Sequence, residues 1–370
     1  MRVAFYAPMK PPDHPIPSGD REMARNLIAA MQGQGHEVET ASRLVSWSSA
    51  PLAEQLTALK DTAAKERARL LARWSASAAA PHLWLTYHPY YKSPDFLGPQ
   101  VCAALRIPYF TVEASCAGKR DRDAWAPFQA EVVAGLRSAA MNFAMTAQDE
   151  EGLRRALGEA GQIRRLAPFI DTARFAASRL APARQSSEAP RLICAAMMRP
   201  GAKAKSYLFL ADALKLIAHL DWRLTIIGDG AERPAVEAAF AGVAPGRITW
   251  HGAACVEDIP QLLAAADIYT WPGFDEAYGV AYLEAQAAGL PVAALDSGGV
   301  SDAMRAGETG LLVTDLSARA YARALARLIE DPGLRRHMGA AARRSILDGR
   351  NLAGAGARLD EAFRAARGAP

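Results

Sequence analysis

No run of about 18 uninterrupted apolar residues occurs in the chain, so none of its helices is expected to span a bilayer. The opening MRVAFYAP has one positive charge and a short strand-like run stopped by Pro8. It lacks the long apolar core and small-residue cleavage site of an export signal, and cytoplasmic location is the expectation. Cysteine is scarce: Cys102, Cys116, Cys194 and Cys255 are widely scattered without C-x-x-C spacing, which argues against a disulfide framework and a zinc site. The net charge of +4 is mild, and the basic residues are spread rather than blocked. Nucleic acid is therefore not an expected partner, whereas a phosphate-bearing small molecule or an anionic membrane surface is. Neither half has a complete G-x-G-x-x-G after its first strand, which argues against a dehydrogenase despite the GDG at Gly228 to Gly230. H-E-x-x-H, G-x-S-x-G and a Walker loop are also missing, which removes zinc protease, α/β-hydrolase and P-loop NTPase chemistry.

What the chain does contain is alternation. Its 370 residues suit two domains with separate cores. The first half runs RVAFYA, a helix from Arg21 to Gln32, HEVETA, a long helix from about Leu52 to Ala79, LWLTY, IPYFTVEAS, a helix from about Pro127 to Ala139, and MNFAMTA. Short apolar strands alternating with amphipathic helices predict a parallel sheet covered by helices. The polar, proline-bearing SRLAPARQSSEAP reads as a linker. A second alternation follows, from RLICAAMM through RLTIIGDG, RITWHG and DIYTWPG to PVAALD. Two doubly wound α/β domains are predicted, over 1–180 and 190–350, and a last helix within 351–370, with Leu359 and Phe363 at i,i+4 spacing, folds back on one of them.

The most informative stretch is GFDEAYGVAYLEAQAAGLPVAAL, where seven residues separate Glu276 from Glu284. A loop and about one and a half helical turns bring both carboxylates toward one opening, while Gly279 and Val280 present unpaired amides at a helix N-terminus, a natural phosphate site. Glu284 is flanked by Ala281, Tyr282, Leu283, Ala285, Ala287 and Ala288, so its helix is apolar nearly all round and its carboxylate needs strong donors. Ribose hydroxyls would supply them; an internal arginine is the structural alternative.

These residues resemble the E-x7-E signature of family-four glycosyltransferases, retaining enzymes of the GT-B fold. The likeness extends to RLTIIGDGAER, to WHG and EDIPQLLAAADIY before the signature, and to LPVAALDSGGVSDAM and ETGLLV after it. In the first half it rests more loosely on SGDREMARNLIAAMQGQGHEV, TAQDEEGL and PFIDTARF. The resemblance implies two Rossmann-like domains facing across a cleft, with a nucleotide-diphosphate sugar as co-substrate bound mainly by the second, and a saccharide or lipid-linked acceptor. It implies a metal-independent, retaining transfer in which the leaving phosphate helps remove the acceptor proton, with no protein nucleophile and no cofactor. The family's cationic pair falls on Arg199 and Lys205 in MMRPGAKAKSYLFLADAL, with Lys203 as the alternative because this loop is one residue longer than usual. Fixed cations suit a departing diphosphate that gains charge. By the same likeness Glu276 binds donor-sugar hydroxyls and Glu284 the ribose, and His251 is a further donor-side residue. Polysaccharide or glycolipid assembly is the commonest role among similar enzymes.

The first half departs from the family pattern twice. Gly19 is followed by Asp20 where two glycines are common, and Asp20 is expected to cap the helix that would present Gly19 to the donor phosphates. Glu113 ends IPYFTVEAS where the family places a sugar-touching histidine; it suits an acceptor-side base, a hydroxyl ligand or a solvated strand end. His88, at the end of LWLTY beside Tyr87, Tyr90 and Tyr91, suits either a cleft residue near a stacked acceptor sugar or a structural histidine. The D-x-D of Asp121 and Asp123 lies in a polar loop rather than closing an apolar strand, which argues against a metal site. The long helix carries Leu56, Leu59, Leu70 and Trp74 along one side with Lys60, Lys65, Arg67, Arg69 and Arg73 around it. That pattern fits an anionic membrane surface, but covering its own sheet is the preferred reading. Two rival functions remain: a nucleotide-sugar epimerase of GT-B-like fold, separable by acceptor dependence, and a non-catalytic sugar-nucleotide-binding protein, separable by donor turnover.

Overall fold

A computed structural model of the chain describes residues 1–16, 18–75, 79–176 and 188–368. Nearly all of the expected linker at 178–190 lies outside the described residues. The chain divides into two compact units, Met1–Ala167 with Leu352–Pro370, and Pro168–Asn351. PFIDTARF thus groups with the second unit rather than with an N-terminal domain running to 180.

The first unit holds six parallel strands: β1 (Arg2–Tyr6), β2 (Glu37–Thr40), β3 (Leu83–Tyr87), β4 (Tyr109–Val112), β5 (Met141–Ala144) and β6 (Ile163–Arg165), in the order β2-β1-β3-β4-β5-β6. All five residues of β3 are buried, the pattern of a parallel strand covered on both faces. The order reverses between β1 and β3, so the loops leaving their carboxyl ends diverge and open a crevice there.

The helix Gly19–Gly33 follows β1, and its cap corrects the expectation for Asp20: the Ser18 side chain accepts from the Arg21 amide at 3.3 Å. Ser18 adopts the extended backbone of a cap, whereas Asp20 lies inside the first turn. The last helix, Leu352–Gly368, packs on this one at Gly356, where a Cβ would come within 2.3 Å of the Ala30 carbonyl oxygen. Phe363 meets the rings of Phe110 and His36 at 4.8 and 5.7 Å.

The long helix is described over Ala53–Ser75. Its Ala63, Leu70 and Trp74 are buried with Trp84, Phe96 and Leu97, and Leu56 and Leu59 pack on the same cluster. The apolar stripe therefore covers its own sheet. Among the described residues no helix is long and apolar enough to cross a membrane.

The second unit holds β7 (Arg191–Ala195), β8 (Arg223–Ile227), β9 (Ile248–Gly252), β10 (Ile268–Thr270), β11 (Val292–Leu295) and β12 (Gly310–Val313), ordered β12-β11-β10-β7-β8-β9 and all parallel. Its reversal lies between β7 and β10, from which the Arg199 loop and the Glu276 loop emerge. The GDG turn supports the first of these loops. Gly228 and Gly230 have φ of 150° and 151°, and Cβ atoms on them would lie 1.9 and 2.3 Å from the carbonyl oxygens of Ala196 and Met198. The Met198 amide donates to the Asp229 carbonyl at 2.9 Å. These glycines serve close backbone packing beneath Arg199. Gly228→Ala is expected to destabilise the protein by at least about 2 kcal/mol, since strain and backbone overlap add; an unchanged urea midpoint would contradict this.

Candidate active site

In the second unit the carboxylate of Glu276 is held from several directions. Trp271 Nε1 donates to Glu276 Oε1 at 3.0 Å, and the Lys203 ammonium ion-pairs with the same oxygen. The Glu276 side chain is only 13% exposed, so these donors are what make an ionised carboxylate tenable there. Its backbone is fixed as well. The Gly299 amide donates to the Glu276 carbonyl at 3.0 Å, the Asp275 amide to Ser297 Oγ at 3.2 Å, and the Phe274 amide to the buried Ser206 Oγ at 3.1 Å. Asp275 is a non-glycine residue in the left-handed region, with φ of 50°.

Of the two lysines weighed for the cationic pair, Lys203 is occupied by Glu276, while the exposed Lys205 lies 3.9 Å over the Phe274 ring. Arg199 is exposed on the loop after β7, and among the described residues its guanidinium makes no hydrogen bond or ion pair. The helix Val280–Ala287 starts at Gly279, with φ of 75° and no side-chain cap. Tyr282, Leu283, Ala285, Gln286 and Ala287 on this helix are buried, as the apolar surroundings of Glu284 implied. Glu284 lies 3.8 Å from Arg174, a long ion pair that matches the structural alternative weighed for it. His251 is exposed on the edge strand β9, two strands from β7.

In the first unit, residues far apart in sequence meet at the reversal between β1 and β3. His88 Nδ1 lies 3.1 Å from Asp20 Oδ1. His88 and Glu113 immediately follow β3 and β4, and both are non-glycine residues in the left-handed region, with φ of 57° and 58°. Their amides continue the sheet ladder, His88 donating to the Val112 carbonyl at 2.8 Å and Glu113 to the Phe143 carbonyl at 2.9 Å. Two neighbouring strand ends thus hold non-glycine residues in sparsely populated backbone. Glu113 is buried rather than a solvated strand end.

Electrostatics couple the group. Burial pushes the Glu113 carboxyl up, opposed by the His88 charge and reinforced by Asp149 and Asp20, to about 7. Burial opposes the charge on His88, but Glu113 and Asp20 outweigh it and raise His88 to about 9. Burial likewise raises Asp20, yet the bond to His88 prevails and holds it below the usual carboxylate range. Asp149 enters through a capping box with Thr146, the structural origin of TAQDEEGL. Asp123 of the D-x-D is engaged by Arg120 at 2.6 Å and by the Trp125 amide at 2.8 Å.

Residues 189–331 match the family described as Glycosyl transferases group 1. D-inositol 3-phosphate glycosyltransferase of Salinispora tropica is 38% identical over 119 residues, 32% of this chain and 25% of that protein. GDP-mannose-dependent alpha-(1-6)-phosphatidylinositol monomannoside mannosyltransferase of Mycolicibacterium smegmatis is 32% identical over 222 residues, 56% of this chain and 57% of that protein. The chain thus spans a quarter to just over half the length of these relatives. Among solved structures, sucrose-phosphate synthase of Thermosynechococcus elongatus matches with a TM-score of 0.75 at 21% identity, covering 98% of each chain. HepE of Anabaena, solved in complex with UDP, matches with a TM-score of 0.72 at 17% identity, covering 99% of this chain and 100% of that one. Its fold is GT-B. At such identities the likeness is one of fold, and the two six-stranded parallel sheets are the Rossmann-like domains of a GT-B chain.

Among the residues named from sequence, the GT-B second domain brings Glu276 against Lys203 and Lys205 against the Glu276 loop, and the first domain brings His88 against Asp20. Trp271 and Arg174 were not singled out, because only the folded loops show that they reach the two glutamates.

The first-domain group makes a pH prediction. Glu113 has a folded pKa above its unfolded value, so its contribution is full below about pH 4.5 and lost as pH rises through about 7. The raised pKa of His88 contributes stability below about 6.5 that is lost as pH rises through about 9. Both signs agree: the Tm of the wild type relative to Glu113→Gln should fall between about pH 5 and 9, and the NMR titration of His88 should move to lower pH in the variant. Parallel Tm curves with an unmoved His88 titration would contradict the coupling.

Proposed function

We propose that the chain is a glycosyltransferase that moves a sugar from a nucleoside-diphosphate donor to a saccharide, glycolipid or small-molecule acceptor with retention of anomeric configuration. One observation carries this: at the strand-order reversal of the second domain, the exposed Arg199 and the clamped carboxylate of Glu276 on their loops, the exposed Lys205 near the start of the helix Ala202–Leu216 and an uncapped helix start at Gly279 follow the strand ends where ligands of open α/β sheets collect. The family match over this domain, the GDP-mannose dependence named for the mycolicibacterial relative and the UDP bound by the Anabaena protein support the same reading.

In this reading Arg199 and Lys205 neutralise the diphosphate, and the Val280 amide adds a fixed dipole, so negative charge developing on the leaving group meets preorganised partners. The ribose hydroxyls bind Glu284 in place of its long pairing with Arg174. Glu276, with Oε1 held by Lys203 and Trp271, offers Oε2 to a donor-sugar hydroxyl. The leaving phosphate oxygen takes the acceptor proton on the face from which it departs, so configuration is retained without a protein nucleophile or a metal. In the first domain Glu113 accepts from a sugar or acceptor hydroxyl while His88 holds its charge.

Calorimetric titration with UDP, GDP and ADP tests the proposal. At least one should bind, and Arg199→Ala should weaken it by roughly 10- to 100-fold, the value of a charge-assisted contact. Absence of binding by all three, or an unaffected Arg199→Ala, would overturn the assignment. The two lysines should separate: Lys205→Met weakens nucleotide binding, while Lys203→Met leaves it within about threefold and lowers kcat by about tenfold or more through a misplaced Glu276. The reverse pattern would exchange their roles.

A further inference from the structure

Beside the His88 group, the first domain carries a row of rings that the reading above does not use. His88 stacks on Tyr90 at 5.0 Å, Tyr90 meets Tyr91 at 5.3 Å, and Tyr91 meets Trp125 at 5.0 Å. Trp47 stands on a neighbouring loop and is 46% exposed. Exposure here is not looseness. Ser46 and Ser48 on either side are buried, with Ser46 Oγ donating to the Pro94 carbonyl at 2.6 Å and the Ser48 amide to the Lys92 carbonyl at 2.8 Å. An exposed indole on a loop pinned at both sides is a preorganised apolar platform, which loses little entropy on binding.

Two cations share this row. The Arg120 guanidinium lies 4.4 Å from the Tyr91 ring centre and donates to the Tyr91 hydroxyl at 3.2 Å. The Lys92 ammonium lies 5.9 Å from the same ring and 5.6 Å from that of Trp125. Asp123 offsets Arg120 at 2.6 Å, whereas among the described residues Lys92 has no carboxylate within ion-pair distance. Two like charges over one ring with a single carboxylate leave a surplus positive charge, a local arrangement that an anion would relieve.

We propose that Trp47, Tyr90 and Tyr91, with Lys92 and Arg120, form the acceptor subsite, and that its ligand is a saccharide ring carrying a phosphate. The ring stacks on the indole and the phosphate is taken by the two cations, Arg120 as a fork and Lys92 as the uncompensated charge. The assignment rests on the glycosyltransferase reading but names an acceptor class that reading leaves open.

The test uses the full chain in two arms that separate the sources of the phosphate. One is calorimetric titration with glucose 6-phosphate against glucose; the other is flotation with phosphatidylinositol vesicles against phosphatidylcholine vesicles. A preference of about tenfold for the phosphorylated partner in either arm is expected. Lys92→Met should reduce that preference to within about twofold at unchanged Tm, and Trp47→Ala should weaken binding that Trp47→Phe largely restores. No preference in either arm, or one that survives Lys92→Met, overturns the proposal. Nucleoside-diphosphate binding measured on the same preparation tells the two failures apart: if it persists, only the acceptor subsite falls, and if it is absent, the glycosyltransferase reading falls with it.

Discussion

An ionised carboxylate largely withdrawn from water is unfavourable by several kcal/mol unless donors surround it, and the second domain is arranged around meeting that demand at Glu276. Lys203 and Trp271 supply the side-chain donors. The loop that carries Glu276 is in turn fixed through Ser206 on the helix after β7 and through Ser297 and Gly299 after β11. Segments that follow three different strands thereby position one side chain. With Lys203 committed to Glu276, Lys205 and Arg199 remain the exposed cations of that crevice, so the same constraint determines which charges are free to meet a ligand.

The first domain uses a different device. His88 and Glu113 both adopt left-handed backbone at neighbouring strand ends, and their opposed charges, with Asp20, give one another ionisation ranges neither would have alone. Burial alone would discharge both groups; together a cation and an acid poised near neutrality persist in one crevice. The local strain is borne by an otherwise well-buried parallel sheet.

Much of this was legible in the sequence, for identifiable reasons. Strand-helix alternation follows from local periodicity, and the seven-residue spacing of Glu276 and Glu284 fixed their places on a loop and a helix before any coordinates. The apolar surroundings of Glu284 announced the burial of its helix neighbours, while Glu284 itself is 15% exposed. Tertiary relations were less visible. Lys203 and Lys205 are two residues apart on the helix Ala202–Leu216, where residues i and i+2 point to different sides, and only the folded position of that helix decides which reaches Glu276. The pairing of Asp20 with His88 spans 68 residues, and it draws Asp20 away from the capping role its residue type suggests, a role Ser18 takes instead. Trp47 gave no signal at all, because exposure on a pinned loop is a property of the fold.

If the proposed function holds, a nucleoside diphosphate is bound by the segments at the strand-order reversal of the second domain. Hydrogen–deuterium exchange with and without saturating UDP or GDP addresses it most directly, since amides that meet a ligand are protected. Protection is expected to concentrate over residues 196–206 and 271–284. Protection confined to other segments in the presence of a bound nucleotide would contradict it.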